Sequence, residues 1–393
     1  MRTLSRDNRF IALALFLWGI GEGLFVFILP LYLKDLGANP IQIGSILALG
    51  AFGIGVAHLP AGYLADRFGR KPVFSFGFAL AAISALLMFL ARDLRVFVPA
   101  LTAYYCAGLM FGPLSAYAAE ARGTQSVERA ITLVTSGYWA AMIVSPTLGG
   151  MLGRALGLRP LFGLGSVALG LSFLTLTQVP HRPPTPAPAG KGRYAPLFGN
   201  RSFLGFMALC LATLIAMEIG MPFAPNFLVE VRRFDVGVVG LLGSVTSLGT
   251  TSLNLFLGRR LPRGGFLVAQ VLFMFSLVLL LATASLPWLL LVFFLRAGWF
   301  LANNMAMAQV GRLVESSQLG LAMGMTQTIV SIAQVVGPFA AGALYQLAPG
   351  LPFETSLGLM FVTVPLAWLF APRRDAHTPT VEARAEQAQP YKT

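Results

Sequence analysis

Apolar side chains in this chain come in long runs rather than in the alternation of a half-buried sheet. Runs near residues 10–33, 41–66, 72–91, 96–120, 130–153 and 158–179 are followed by a second set near 202–229, 236–258, 264–284, 288–312, 320–346 and 353–371. Each meets the roughly 20-residue length of a helix that crosses a hydrocarbon layer. Such segments cross lipid as helices because every backbone N–H and C=O then finds a partner inside the segment. The pattern predicts an all-α integral membrane protein of twelve transmembrane helices. Between the two sets, residues 180–201 contain the string HRPPTPAPAGKGR, rich in proline, glycine and cations, which reads as a solvated linker. The chain is thereby divided into a six-helix bundle over 1–179, a linker over 180–201, a second six-helix bundle over 202–372 and a polar tail over 373–393.

Composition agrees with lipid as the solvent. Hydrophobic residues make up 56% of the chain, charged residues only 11%, and the mean hydropathy is +0.75; soluble domains carry roughly twice that charge. The first run is too long for a signal peptide and lacks a small-residue cleavage site, so it reads as helix 1. Twenty of the 28 lysines and arginines fall in the termini and the alternate loops on one side, seven fall on the other, and Arg296 lies within a run. Cationic loops stay in the cytoplasm, so both termini are expected there, with the protein in the plasma membrane. The net charge of +13 then faces anionic lipid head groups, and no nucleic-acid partner is needed to explain it. The two cysteines, Cys106 and Cys210, lie inside runs and suggest neither a disulfide nor a metal site. With three histidines, no paired metal-ligand spacing, no nucleophile elbow and no phosphate-binding loop, the sequence offers no enzyme, no ATP site and no bound cofactor. Energy would come from a proton or other ion gradient.

The two sets of runs are related. Helix 5 ends in SPTLGG (Ser145 to Gly150, with Pro146, Gly149 and Gly150) and helix 11 in GPFAAG (Gly337 to Gly342, with Pro338), an offset of 192 residues. Helices 2 and 8 match at an offset of 196, pairing Gly44 with Gly240, Gly53 with Gly249, and His58 with Asn254. Two like halves suit alternating access about a site near the membrane midplane. Helices 3, 6, 9 and 12 are nearly free of strong polarity and are expected at the lipid-facing periphery. The other helices carry polar stripes at helical spacing: Ser247, Thr250, Thr251 and Asn254 on helix 8; Arg296, Trp299, Asn303 and Asn304 on helix 10; Gln327, Ser331 and Gln334 on helix 11. They predict a polar central cavity, against the alternative of hydrogen bonds between packed helices.

Three ionisable residues lie well inside the runs: Glu22, Glu218 and Arg296. A charge at mid-membrane costs at least about 2.5 to 3.5 kcal/mol, so each is neutralised, paired or wet. Aligning Pro30 with Pro225 brings Glu22 and Glu218 to equivalent positions within one residue. A carboxyl that is dry in one state and wet in another can bind and release a proton, which is the chemistry of a coupling site. Arg296 remains charged and is either the counter-ion of one glutamate or the contact for an anionic substrate. Phe25, Tyr104, Tyr105, Phe111, Tyr138, Trp139, Trp299 and Phe300 give the candidate cavity an aromatic lining that suits lipophilic compounds.

The string GYLADRFGRKP, Gly62 to Pro72, closely resembles the signature loop between helices 2 and 3 of the major facilitator superfamily. Gly62 allows close helix packing, Gly69 a tight reversal, and Arg67, Arg70 and Lys71 hold the loop cytoplasmic. The resemblance implies a secondary transporter with two pseudo-symmetric six-helix bundles, in which Asp66 and Arg67 belong to a cytoplasmic latch that braces the outward-open state. Around Tyr138, GYWAAMIVSPTLGG resembles the small-residue motif of helix 5 in the efflux members, with Ala141 and Ser145 where glycine is usual. The chain departs from many proton-coupled relatives in offering Tyr104 where they carry an arginine in helix 4; its counterpart at an offset of 192 is Arg296. The resemblance thus implies a monomer that exports small lipophilic compounds or drugs against protons. Uptake of a sugar or other small metabolite is the alternative reading, and a non-transporting membrane sensor a further one.

Overall fold

The computed structural model describes residues 4–182, 199–260, 264–314 and 318–370, and every regular element among them is helical. The first half holds α1 (Arg6–Gly23), α2 (Leu29–Asp35), α3 (Pro40–Phe68), α4 (Arg70–Leu90), α5 (Leu94–Cys106), α6 (Phe111–Glu120), α7 (Val127–Leu156) and α8 (Arg159–Thr177). The second holds α9 (Arg201–Ile219), α10 (Ala224–Glu230), α11 (Val236–Arg260), α12 (Gly265–Ala282), α13 (Leu286–Arg296), α14 (Gly298–Leu313), α15 (Leu319–Leu347) and α16 (Leu351–Phe370). Eleven segments among the described residues are long and apolar enough to cross a membrane. The remaining expected span, span 1, is α1 with α2; it carries Arg6, Asp7, Arg9 and Glu22 and is interrupted at residues 24–28. Most of the linker and the whole tail, with Lys191, Arg193, Arg373, Arg374, Arg384 and Lys392, lie outside the described residues.

The helices start where the sequence supplies caps. Side chains of Ser5, Asn39, Asp93, Ser126 and Asn200 accept amide hydrogens of the first turns, and Asn39 with Gln42 forms a reciprocal capping box. Gly69, at φ +87°, lets α3 reverse directly into α4. Arginines close several C-terminal ends by donating to carbonyls that have no partner within the helix. Arg159 Nε bonds Phe89 O at 2.7 Å at the end of α4, and Arg232 Nη2 bonds Leu281 O at 2.9 Å at the end of α12.

Spans 1, 4, 7 and 10 are discontinuous. Span 1 breaks after Gly21, Glu22 and Gly23; span 7 breaks at Gly220–Phe223, where Pro222 removes a donor; span 4 tightens into a 3-10 turn at Ala107–Met110; span 10 is interrupted at Ala297. Glu22 and Glu218 are each the penultimate residue before their break, so the equivalence read from Pro30 and Pro225 is carried into three dimensions. Arg296 lies across the second break. Its Nη2 donates to Gly220 O at 2.6 Å and Met221 O at 3.2 Å, and its guanidinium stands 5.5 Å from the ring centres of both Phe273 and Phe293. It makes no ion pair among the described residues. Arg296 thus caps the broken helix, a role beyond the two expected from sequence.

Spans 3, 6, 9 and 12 are continuous and peripheral, as expected. Their outer faces expose Phe76, Ile83 and Leu87, Val167 and Leu171, Val271 and Phe275, and Phe361 and Trp368, a belt of apolar surface that only lipid satisfies.

The halves meet through two seams related by the internal repeat. In one, α7 crosses α11, where a Cβ on Gly240 would lie against Pro146 O and 2.7 Å from Gly150 Cα. In the other, α15 crosses α3, where a Cβ on Gly44 would lie against Pro338 O and 3.0 Å from Gly342 Cα. These glycines and prolines are the same residues that match at offsets of 196 and 192. At the first seam the amide and hydroxyl of Thr147 donate to Ser244 Oγ at 3.0 and 2.7 Å. Between the seams α2 meets α10, with Lys34 Nζ 2.8 Å from Glu230 Oε1 and Asn226 Nδ2 bonded to Pro30 O. These contacts lie at the face opposite the signature loop, around which Tyr63, Asp66, Arg67 and Phe68 are exposed.

Two outcomes follow. Arg296→Met leaves the carbonyls of the span 7 break without a donor and is expected to destabilise the protein by about 1–3 kcal/mol, read as a lower melting temperature in detergent; an unchanged melting temperature would show that the break supports itself. Gly240→Val places a side chain on the first seam, so a cysteine at Ser244 in a background without Cys106 and Cys210 is expected to gain reactivity toward a membrane-impermeant maleimide, whereas equal labelling with and without the valine would mean that the seam tolerates it.

Candidate functional site

The breaks in spans 1 and 7 open onto a cavity of about 300 Å³ between the halves. Its wall is mostly apolar: Val26, Phe27 and Pro30 from span 1, Met221 and Pro225 from span 7, Leu47, Ala51 and Ile54 from α3, and Phe293 from α13. Into it come Glu218, Arg296, Tyr105, Thr246 and Gln334. Glu218 finds its room because Gly337 has no side chain; a Cβ there would overlap the Glu218 Cβ and Cγ. Arg296 and the Trp299 indole neighbour the Glu218 carboxyl. Yet Glu218 Oε2, Arg296 Nη1 and, one turn along α14, Asn303 Oδ1 are buried without a hydrogen-bond partner, and Trp299 Nε1 has none but the Glu218 carboxyl. Buried polar atoms are rarely left so, and these four lie around one stretch of spans 7 and 10.

Glu22 occupies an adjoining compartment of about 130 Å³ inside the first half, lined by Trp18, Phe25, Tyr104, Tyr105 and Phe111. Its Oε2 accepts from Trp18 Nε1 at 2.8 Å, and the Tyr138 hydroxyl bonds the same carboxyl. The Trp18 and Tyr104 rings stack with centroids 6.1 Å apart, and Phe25 meets Tyr104 edge-on at 5.3 Å. The buried Tyr104 hydroxyl has no partner. Tyr105 and Ile54 line both compartments, and Tyr105 is within electrostatic reach of both glutamates. The structure therefore places Tyr105 as the partition between the two acids, a position that its sequence neighbours do not reveal.

Other expected residues are distributed more widely. The hydroxyls of Ser247, Thr250 and Thr251 bond carbonyls of their own helix, and Asn254 Nδ2 bonds Thr250 O, so much of the α11 stripe satisfies itself. Asn304 reaches Asn254 Oδ1 at 2.7 Å away from the cavity wall. Gln327 is exposed, while Gln334, two turns along α15, lines the larger cavity. Trp139 and Phe300 meet across the halves at 6.2 Å. In the signature loop Arg70 pairs with Glu120 at 2.5 Å and Lys71 donates to Thr177 O, both within the first half. Arg67 donates to the Tyr63 hydroxyl, and Asp66 has no ion-pair partner among the described residues. A Cβ on Gly62 would meet nothing within 4 Å, so the close packing expected of that glycine is not made in this arrangement. Gly149 does pack closely, against the Leu24 backbone at the span 1 break. Two structural polar groups escaped the sequence reading: Asn8, whose Nδ2 bonds Ala118 O and Ala121 O at the end of span 4, and Asp7, which accepts from Tyr117 and Arg182. Their only sequence signal is polarity near a helix start.

Comparison with known proteins covers nearly the whole chain. The family profile described as Major Facilitator Superfamily matches residues 11–263 and again 208–393. The Quinolone resistance protein NorA of Staphylococcus aureus (strain MRSA252) is 20% identical over 365 residues, covering 89% of this chain and 92% of that protein. Multidrug resistance protein 1 of Bacillus subtilis (strain 168) is 23% identical over 376 residues, covering 93% of each. Among solved structures, the nucleoside transporter NupG superposes with a TM-score of 0.76 at 15% identity over 93% of this chain and 98% of that one. A bacterial homologue of the human lysosomal transporter Spinster, in an inward-facing and occupied conformation, superposes at 0.73 with 16% identity, covering 95% and 98%. With the family profile matched over nearly the whole chain and the all-helical fold shared, the chain belongs to the Major Facilitator Superfamily and is a multi-pass membrane transporter of small molecules rather than an enzyme.

Proposed function

We propose that the protein is a proton-coupled exporter of small lipophilic compounds, working by alternating access with both termini in the cytoplasm. The observation that carries this reading is the pair of carboxylates, Glu22 and Glu218, at matching helix breaks on a mostly apolar and aromatic cavity. A bare carboxylate is costly in such a wall, so each is neutralised by a proton or by a cationic group of a bound compound, one at a time. That exclusivity is what exchange of substrate against protons requires. The relatives named for quinolone and multidrug resistance, at 20% and 23% identity over most of the chain, support export. The cationic loops favour a cytoplasmic position for the end that bears the signature loop, and on that orientation the glycine seams close the outer face and the cavity faces inward. Asp66, exposed here, is then free to latch the cytoplasmic ends when they close in the outward-open state.

In liposomes with an imposed pH gradient, the wild-type protein is expected to move a fluorescent lipophilic dye with proton counterflow. Glu22→Gln or Glu218→Gln is expected to abolish gradient-driven accumulation while leaving dye binding or exchange, and unchanged gradient dependence in both variants would reject proton coupling through these acids. Asp66→Asn is expected to raise the labelling of a cysteine introduced at Gln334 by a thiol reagent supplied from the cytoplasmic side; identical labelling would argue against the latch.

A further inference from the structure

One polar contact is made twice, once in each half, at the same offset of 192 residues that relates Tyr104 to Arg296. Near the start of span 1 the fully buried Asn8 donates from Nδ2 to Ala118 O at 3.0 Å and Ala121 O at 3.3 Å, at the end of span 4. At the start of span 7, Asn200 Nδ2 donates at 3.2 Å to the carbonyl of Leu313, the last residue of α14 in span 10. Asn8 and Asn200 are equivalent under the offset, and so are Ala121 and Leu313. The last carbonyls of a helix have no partner within it, so each asparagine caps a neighbouring span and ties its end down. The spans so tied are two that break midway: α6 follows the 3-10 turn at Ala107–Met110, and α14 follows the break at Ala297. Each is a short helix with a joint at one end and an asparagine bond at the other. Both partners of each bond belong to the same half. The equivalent positions Gly112 on α6 and Asn304 on α14 are exposed, and a Cβ on Gly112 would meet nothing within 4 Å, so room is left beside these segments.

We infer that Asn8 and Asn200 are paired clamps that hold the free ends of α6 and α14 to their own halves and so keep the signature-loop face open. A clamp that lets go allows its segment to lean on its joint toward the other half and narrow that face. This role rests on alternating access as proposed above, and it adds which segments move and which bonds restrain them. Neither asparagine lines either compartment, so both are positioning residues rather than binding ones. One hydrogen bond has the right scale for the task, since its net contribution shifts an equilibrium by about two- to tenfold, enough to bias the resting state without locking it.

The test is a distance measurement by pulsed electron paramagnetic resonance on the detergent-solubilised full-length protein. Spin labels are placed on cysteines introduced at Arg122 and Ala308, both exposed positions at the ends of spans 4 and 10, in a background without Cys106 and Cys210. Neither substrate nor gradient is needed, so a failure of export or of proton coupling leaves the measurement unaffected. Asn200→Ser keeps a side-chain oxygen for the Phe203 amide, which Asn200 Oδ1 accepts at 3.0 Å, but is too short to reach Leu313. It is expected to raise the share of molecules at the shorter label distance about two- to tenfold. Asn8→Ser is expected to act in the same direction, and the double variant to exceed either. Ser126→Ala removes a cap whose bonds stay within the first turn of α7, and is expected to lower the melting temperature without moving the distances. An unchanged distance distribution in Asn200→Ser, a shift to longer distances, or an equal shift in Ser126→Ala would overturn the proposal. If Asn8→Ser does not fold, Asn200→Ser decides alone.

Discussion

A backbone that leaves the helix inside lipid has to find partners for its amides and carbonyls within the protein, and this constraint organises the molecule. The spans that are interrupted, 1, 4, 7 and 10, turn inward, while the uninterrupted spans 3, 6, 9 and 12 face lipid. At the span 7 break the constraint is met by Arg296, whose Nη2 takes Gly220 O and Met221 O. One side chain thereby holds the helix open, sits beside Glu218 and carries the cavity's positive charge. The break, the acid and the cation are one construction, and the cavity exists because the helix there does not continue.

The second organising element is the absence of side chains where the halves touch. Gly240 against Pro146 and Gly150, and Gly44 against Pro338 and Gly342, bring backbones together at distances that no Cβ permits. Polar rim contacts such as Lys34 with Glu230 add little by themselves, since partly exposed ion pairs contribute about 0–1 kcal/mol. Closure of that face depends on shape, and the ion pairs decorate it. Inside, Tyr105 separates two acids whose surroundings differ, so the symmetry of the backbone is not repeated in its chemistry.

Much of this was legible in the sequence because it depends on run length and periodicity. The span boundaries agree within a few residues, and the matches of Gly44 with Gly240 and of Pro146 with Pro338 turn out to be the seams themselves. The roles of individual polar residues were less legible. A serine or threonine inside a membrane helix reads the same whether it faces a cavity or bonds its own preceding turn, as Thr250 and Thr251 do. Gln327 and Gln334 lie on one stripe, yet only the latter borders the larger cavity, because depth along a helix is fixed by packing between halves. Arg296 announced itself as an expensive charge, but its carbonyl partners on span 7 are 75 and 76 residues away and no spacing rule connects them.

The paired seams also bear on mechanics. Two rigid bodies that touch at two compact points keep a single rotation that preserves both contacts, the one about the line joining those points. Internal duplication has supplied this chain with a pair of closest approaches at one face, made of the same residue types in the same order. A lone seam would let the halves swivel in any direction, and a broad interface would forbid turning altogether. Two backbone-close seams at one face define a line through them, so the rotation that keeps both contacts is set by the repeat itself, independent of what the cavity holds.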